Sequence, residues 1–191
     1  QKSVRLKKLT EDLFDAAKAS SGAIPVKMEK VEMLSLINQG LGEMNDRIEA
    51  SGLEFKINVQ KERYYVLADG QLLWRVVENL LGNVLKYAQE GSRVYIDLRD
   101  QNGKNGTIPN VILEMKNISK AELNIDANEL MERFKRGDES RTTEGSGLGR
   151  AIAKDLGRLQ NGWFEIKIDG DLFKAVVMLE AYREETAQKE A

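Results

Sequence analysis

The sequence contains neither cysteine nor histidine among its 191 residues. The absence of cysteine excludes disulfide bonds, thiolate metal sites and a cysteine nucleophile. The absence of histidine excludes a Ser-His-Asp triad, a histidine general base and a histidine metal ligand from this chain. Any chemistry must therefore use other side chains, backbone amides or groups that another segment presents.

Long hydrophobic runs and an excess of basic charge are also missing. No apolar stretch approaches the ~20 residues that cross a bilayer. The 29 Lys and Arg residues are balanced by 31 Asp and Glu residues, which gives a formal net charge of −2. Nucleic-acid binders normally carry a basic excess, so we expect no nucleic-acid partner and no direct membrane contact. The 41% hydrophobic content is typical of a folded globular domain.

Hydrophobic periodicity divides the chain into four parts. Residues 1–22 are predicted to be an amphipathic helix, 23–29 a linker, 30–180 one domain and 181–191 a frayed polar tail. The domain has few, long helices, and its strands are mostly joined as hairpins. This order favours an α+β two-layer sandwich over a doubly wound parallel sheet. The predicted helices are Leu34–Ile48, 70–89 and 147–160, and the predicted strands are 55–59, 64–67, 94–98, 111–115, 163–168 and 173–179.

Three local signals give more specific expectations. Asp69 is well placed to cap the N-terminus of the helix at 70–89. Asp169-Gly170 is a strong hairpin-turn signal between the last two strands. The strand at 64–67 is expected to pair with its predecessor at 55–59, because neighbours in sequence often pair.

The helix at 70–89 carries polar groups at the border of its apolar stripe. Asn79, Asn83 and Lys86 are spaced four and three residues apart and fall in a sector about 60° wide. Amide oxygens can ligate a hard cation, and an ammonium group can bind phosphate. The alternative is an ordinary amphipathic helix with a polar border.

A glycine-rich segment, Gly145-Ser146-Gly147-Leu148-Gly149, precedes the next predicted helix. Glycines allow backbone amides to approach an anion, and the helix that follows presents its positive end. The alternative is a flexible hinge. The preceding stretch, 117–145, has the profile of an active-site lid, and Arg133, Arg136 and Arg141 could meet phosphate oxygens. A solvated basic loop is the better interpretation for Arg141 and stays an open alternative for Arg133.

Together these segments resemble the catalytic, ATP-binding domain of bacterial sensor histidine kinases, within the GHKL ATPase superfamily. Residues 78–88 (ENLLGNVLKYA) look like the N box, Phe134–Gly137 like the F box and Gly145–Gly149 like the second glycine box. The sequence in and around these motifs is most similar to that of kinases of Gram-positive bacteria. The resemblance implies the Bergerat α/β sandwich, and it makes residues 1–22 the end of a dimerisation and phosphotransfer helix.

The resemblance also implies roles for individual residues. Asn83 would bind the Mg²⁺ that bridges the ATP phosphates, with Asn79 in support. The other implied ATP contacts are Lys86, Tyr87, Asn117, Arg136, Gly145, Gly147, Leu148 and Gly149. Of these residues, Asn79, Asn83 and Arg136 are the implied catalytic group.

Two positions depart from the family pattern. The first glycine box usually reads Asp-x-Gly-x-Gly, whereas residues 117–121 here read NISKA. Asn117 can still accept a hydrogen bond from the adenine amino group, without charge assistance. Arg150 stands where the family commonly has leucine, and its charge could face either solvent or a phosphate.

The implied reaction is phosphoryl transfer rather than hydrolysis. Hydrolysing relatives such as the gyrase B subunit carry a glutamate four residues before the magnesium asparagine. Asn79 occupies that position here, and Glu78 lies about 100° away around the helix. The acceptor would be a histidine on a phosphotransfer hairpin, in a homodimeric, membrane-anchored parent whose cytoplasmic domain signals to a response regulator. The alternatives are an anti-sigma-factor-like serine kinase and a degenerate, non-catalytic nucleotide-binding module.

Overall fold

The computed structural model describes residues 25–103, 107–123, 126, 129, 152, 155, 156, 158, 159 and 162–184. The predicted N-terminal helix and most of the predicted lid lie outside these residues. Within them the elements, in chain order, are β1 (Glu29–Glu32), α1 (Met33–Glu43), α2 (Asn45–Ser51), β2 (Glu54–Val59), β3 (Tyr65–Ala68), α3 (Gly70–Tyr87), β4 (Arg93–Gln101), β5 (Asn110–Ile118), β6 (Trp163–Asp169) and β7 (Leu172–Glu180).

Two sheets organise these elements. Five strands form a mixed sheet in the order β2-β4-β5-β7-β6, in which only the β2–β4 pair is parallel. Parallel strands need a long crossover connection, and the segment that contains β3 and α3 provides it, because it returns the chain from the end of β2 to the end of the sheet where β2 began. Strands β1 and β3 form a separate antiparallel pair. The expectation that β3 pairs with β2 is therefore wrong: β3 pairs with β1, a polar edge strand that the sequence pattern did not reveal.

One face of the five-stranded sheet packs against α1 and α3 to form the hydrophobic core. Alternation places every second residue of β4 and β5 on this face, as the sequence predicted. The helices approach closely at Gly40 of α1, where an added Cβ would lie 2.7 Å from Leu81 Cδ1. The predicted α+β two-layer sandwich is confirmed. Its largest fully buried side chains include Tyr64, Met33, Ile37, Leu73, Leu81, Ile96, Leu98, Leu113 and Met115.

Helix α1 begins at an unusual cap. Glu32 accepts hydrogen bonds from the backbone amides of Leu34 and Ser35, and also from the amide of Tyr64 at 2.8 Å. Partial burial alone would raise the pKa of Glu32, but hydrogen bonds from Ser35, Tyr64 and Leu34 outweigh it and hold the pKa below its ordinary value. This carboxylate therefore joins the start of α1 to the segment that precedes β3.

The predicted helix from Leu34 to Ile48 is two helices in the structure. Met44 leaves the helical conformation, with φ −101° and ψ 8°, and separates α1 from α2. Gly40 and Gly42 precede the break and lower the helix propensity of this turn. The predicted end at Ser51-Gly52 is confirmed, because Gly52 adopts the left-handed conformation at φ +66°.

The other two local expectations are confirmed. Asp69 caps α3, since its Oδ1 accepts hydrogen bonds from the amides of Gln71 and Leu72. Its Oδ2 accepts a further hydrogen bond from the amide of Lys27, at 2.9 Å. Gly170 has φ +58° in the turn between β6 and β7. Asp69 therefore ties the segment before β1 to the start of α3.

The two-stranded sheet is joined to the end of β7. Ala181, which follows β7, forms an antiparallel bridge with Val66 of β3. The amide of Tyr182 donates a hydrogen bond to the carbonyl of Tyr65, at 3.0 Å. Because Val66 also pairs with Val31 of β1, strand β3 is flanked on both of its edges.

Candidate nucleotide site

Helix α3 places the predicted amides at the border of its buried face. Asn79 and Asn83 are half-buried, and Lys86 is exposed. The border position that the helical spacing predicted is therefore confirmed. The apolar stripe of α3 is buried in the core and consists of Leu72, Leu73, Val76, Val77, Leu80, Leu81 and Val84.

The C-terminal end of α3 is fastened to the end of β5 by backbone contacts. Gln89 donates its amide hydrogen to the carbonyl of Ile118 at 2.8 Å, and the amide of Lys120 donates to the carbonyl of Tyr87 at 2.9 Å. An isolated bridge joins Ala88 and Ser119 between these two contacts. The last turn of α3 and the last residues of β5 therefore meet at one end of the sandwich.

Asn117 of β5 lies at this end and faces the core side of the sheet. Its side chain is almost fully buried, at 3% exposure, and its neighbours across the sheet are Val94 and Phe173. Its Oδ1 atom accepts no hydrogen bond within the described part of the chain. A buried acceptor without a donor costs about 1–3 kcal/mol. Asn117 thus presents a buried amide oxygen between two apolar sheet neighbours.

Lys86 and Tyr87 lie beside each other in the last turn of α3. The Lys86 Nζ atom is 5.2 Å from the centre of the Tyr87 ring. An exposed ammonium group held over a half-buried aromatic ring can meet a phosphate while the ring lines an apolar surface. These are two of the groups that the resemblance assigned to nucleotide contacts.

A helical segment that is described at Ile152, Asp155, Leu156 and Arg158, within the predicted helix 147–160, contributes a buried carboxylate that the sequence analysis missed. Asp155 is 1% exposed, and its Oδ2 atom lies 3.3 Å from Nε of Arg75 on α3. The contact is an ion pair by distance rather than an aligned hydrogen bond. The signal was available in the sequence, because Asp155 interrupts an apolar stripe of Ile152, Leu156 and Leu159, all three buried in the core.

Carboxylates do not cluster at this site. No group of three or more acidic residues that could hold a metal ion occurs among the described residues. Glu78, the neighbour of Asn79, is exposed. A hard cation bound beside α3 would therefore need ligands from Asn83, water and the oxygens of its own ligand, which is the donor chemistry that Mg²⁺ accepts with phosphates.

Several predicted site residues lie outside the described residues. They are Arg136 and the glycine segment Gly145, Gly147, Leu148 and Gly149, together with Arg150. The structure therefore places Lys86, Tyr87 and Asn117 at one end of the sandwich, whereas Asn83 and Asn79 lie one and two turns before Tyr87 along α3. As for the membrane, the described helices include none with the length and apolar character needed to cross one.

Comparison with known proteins gives consistent matches. Residues 68–186 match the family model described as histidine kinase-, DNA gyrase B-, and HSP90-like ATPase. The sensor histidine kinase YvrG of Bacillus subtilis is 25% identical over 180 residues, which cover 94% of this chain and 30% of YvrG. The chain spans between 30% and 52% of the length of the first three curated relatives that it matches.

Solved structures share the fold at low sequence identity. Full-length ShkA in complex with AMPPNP superposes with a TM-score of 0.67 at 21% identity, over 93% of this chain and 36% of ShkA. The histidine kinase ThkA in complex with the response regulator TrrA gives a TM-score of 0.70 at 17% identity, over 94% of this chain and 49% of ThkA. Both similarities concern the fold.

Proposed function

Because the chain belongs to the histidine kinase-, DNA gyrase B- and HSP90-like ATPase family, we propose that it is the catalytic, ATP-binding domain of a sensor histidine kinase. The observation that carries this proposal is the buried amide oxygen of Asn117, which receives no hydrogen bond from the described residues and lies at the end of the sandwich where α3 ends. The curated relatives are named as sensor histidine kinases, which favours this interpretation over the anti-sigma-factor alternative.

Asn117 would recognise the adenine base. The amino group of adenine is a hydrogen-bond donor, and Oδ1 of Asn117 is an acceptor to which none of the described residues donates. The apolar neighbours Val94 and Phe173 suit the faces of a base. The adenine amino group would thus supply the hydrogen bond that this buried oxygen does not receive from the described residues.

The polar border of α3 would hold the phosphates. Asn83 would ligate Mg²⁺ with support from Asn79, and Lys86 would contact a phosphate while Tyr87 lies along the nucleotide. Arg136 and the glycine segment 145–149 would supply further phosphate contacts. Bound Mg²⁺ would supply neutralisation of the phosphate charge, which phosphoryl transfer needs more than covalent help from the protein.

The same border lacks a base that could activate water. Asn79 is an amide and cannot accept a proton at neutral pH, and Glu78 is exposed about 100° away around α3. The γ-phosphate would therefore be kept for a nucleophile from another segment. That nucleophile would be a histidine on a phosphotransfer hairpin. It would have to come from a segment outside this chain, because this chain contains no histidine.

The remaining partners follow from the same proposal. The parent would be a homodimer anchored in the membrane, with this domain in the cytoplasm, and its phosphohistidine would serve a response regulator. Support comes from the structural neighbour ThkA, whose structure was solved with the response regulator TrrA.

The experiment that tests this proposal compares two asparagine variants. Asn83→Ala removes the proposed magnesium ligand at a half-buried border position, whereas Asn58→Ala removes an exposed amide that contacts Asp97 on the outer face of the sheet. Calorimetry with ATP should show Mg²⁺-dependent affinity reduced about tenfold or more in Asn83→Ala alone. The ligand-free thermal midpoint should move little in either variant, because neither change touches the apolar stripe.

Transfer to a partner completes the test. With radiolabelled ATP, the chain alone should remain unlabelled, and a separate hairpin domain carrying an acceptor histidine should become labelled weakly, because untethered domains lose effective concentration. Acid-labile label on this chain alone, or unchanged MgATP binding by Asn83→Ala, would contradict the proposal.

A further inference from the structure

The ion pair between Arg75 and Asp155 is not explained by the roles assigned so far. Asp155 occupies a position on its helix where the pattern of Ile152, Leu156 and Leu159 calls for an apolar residue. Its carboxylate is nevertheless buried, with the Arg75 guanidinium 3.3 Å away. A carboxylate taken out of water is costly unless it is paired.

Stability alone does not favour such a pair. Arg75 is 44% exposed, so the desolvation cost falls on the Asp155 carboxylate; such a cost commonly offsets the attraction, and an apolar residue of similar volume is often as stable in the same place. A carboxylate buried beside one guanidinium does, however, favour one relative position of the two elements, because the charge is compensated only where the two groups meet. The pair is therefore better suited to positioning than to holding the fold together.

The two elements that the pair joins are those that flank the proposed phosphate contacts. Arg75 precedes Asn79 by one turn and Asn83 by two, at steps of four residues, so the three lie along one strip of α3. Asp155 follows Gly149, the last residue of the glycine segment, by six positions in the sequence. The helix that contains Asp155 is thus the element that continues from the second proposed source of phosphate contacts.

We propose that Arg75 and Asp155 are positioning residues that set the helix following the glycine segment against the asparagine strip of α3. The inference rests on the proposed function, because it assumes that both elements serve the phosphates. Neither residue needs to touch the nucleotide. In the proposed function adenine recognition depends instead on Asn117, which lies on β5 and not on either of the elements that the pair joins.

The test uses variants that separate positioning from stability. Asp155→Asn removes the charge with little change of volume. The double variant Arg75→Met with Asp155→Leu replaces the pair by apolar residues and is expected to keep the fold. Arg99→Gln is the matched control, since Arg99 is 46% exposed and pairs with Glu114 at 3.3 Å on the other face of the sheet, whereas Arg75 is 44% exposed.

Affinities for MgATP and for adenosine are measured on the wild-type chain and on each variant, together with the ligand-free thermal midpoint. The expected result is a MgATP affinity about tenfold weaker in both pair variants, with adenosine affinity within about twofold of wild type, because small displacements of positioned groups weaken only the contacts they make. Arg99→Gln should match wild type for both ligands. Arg75→Lys, which keeps the positive charge, should bind MgATP more weakly than wild type but more tightly than Asp155→Asn or the double variant.

Two results would overturn the inference. One is a double variant that folds and binds MgATP like wild type, which would make the pair dispensable for positioning. The other is an equal loss of MgATP and adenosine affinity, which would indicate a general structural role. A wild-type chain that binds adenosine and MgATP equally well, or neither, would instead refute the proposed function on which the inference depends.

Discussion

The two faces of strand β5 differ in how their polar side chains are paired. On the outer face, Glu114 pairs with Arg99 and Lys116 pairs with Asp97. On the inner face, Leu113 is buried in the core, and Asn117 is buried with an acceptor that receives no hydrogen bond among the described residues. Both faces share the same backbone and register, so the difference reflects the surroundings alone. A polar group that is ordinary on the outer face becomes costly on the inner face, which is why we propose a binding role for Asn117.

The largest stability effect is expected from the apolar part of the inner face. Leu113→Ala should lower the free energy of unfolding by about 3 kcal/mol, since it removes buried methyl groups and leaves a cavity. Urea denaturation of the ligand-free chain measures this. A loss below about 1 kcal/mol would show that the sheet and helices close over the gap, and that the inner face is less tightly packed than its burial indicates.

The polar part of the inner face should affect binding instead of stability. Asn117→Leu removes the proposed adenine acceptor, and we expect adenosine and ATP affinity to fall about 10- to 100-fold, the equivalent of about 1–3 kcal/mol. The free energy of unfolding should stay level or rise, because an unsatisfied buried amide has been replaced by an apolar side chain. Asn58→Leu is the control, since Asn58 is exposed on β2. If Asn117→Leu is less stable than wild type and still binds adenosine and ATP like wild type, Asn117 serves the fold and not the nucleotide.

Glu32 tests an intermediate case, a carboxylate that is partly buried but fully engaged by backbone donors. Its pKa is lower in the folded chain than in the unfolded chain, so its stabilising contribution is present above the unfolded pKa and is lost as the pH falls through the folded pKa. Glu32→Gln should cost about 1 kcal/mol at neutral pH. The gap between variant and wild type should close as the pH falls below the ordinary range of a glutamate, as thermal melts across that range would show. A gap independent of pH would mean that the charge contributes nothing.

The smallest effect is expected from the outer face. Arg99→Gln breaks a half-exposed ion pair, and such pairs contribute about 0–1 kcal/mol. Stability should change by less than about 0.5 kcal/mol and nucleotide affinity should not change. A larger loss would show that the charge pairs of the outer face act as a network, and that the contrast between the faces is smaller than their burial indicates.

Local chemistry made much of this fold predictable. The alternation of β4 and β5, the Asp69 cap, the Asp169-Gly170 turn and the polar border of α3 all depend on neighbours within a few residues, and all are found in the structure. The resemblance to known motifs supplied the proposed role of Asn117, which remains a prediction, and the alternation of β5 extends to Asn117 the buried face of Val111, Leu113 and Met115.

What the sequence did not predict depends on distant contacts. Strand β1 is a short, polar edge strand that exists because β3, more than 30 residues away, pairs with it. The break between α1 and α2 consists of Met44 alone, so the apolar periodicity of the sequence continues across it and predicts one helix. Asp155 was visible as a carboxylate within an apolar stripe, but its partner Arg75 is 80 positions away and lies on another helix. Sequence periodicity reports which face a residue takes and does not report which residue it meets there.

The bridge between Ala181 and Val66 has a topological consequence. Strand β3 holds the incoming strand β1 on one edge and the outgoing residue Ala181 on the other. Two strand spacings separate them, about 10 Å, which three or four extended residues can span. The domain is therefore close to a closed ring. A permuted chain that joins Tyr182 to Glu29 through a short connector and opens between β4 and β5 would keep every strand pairing described above.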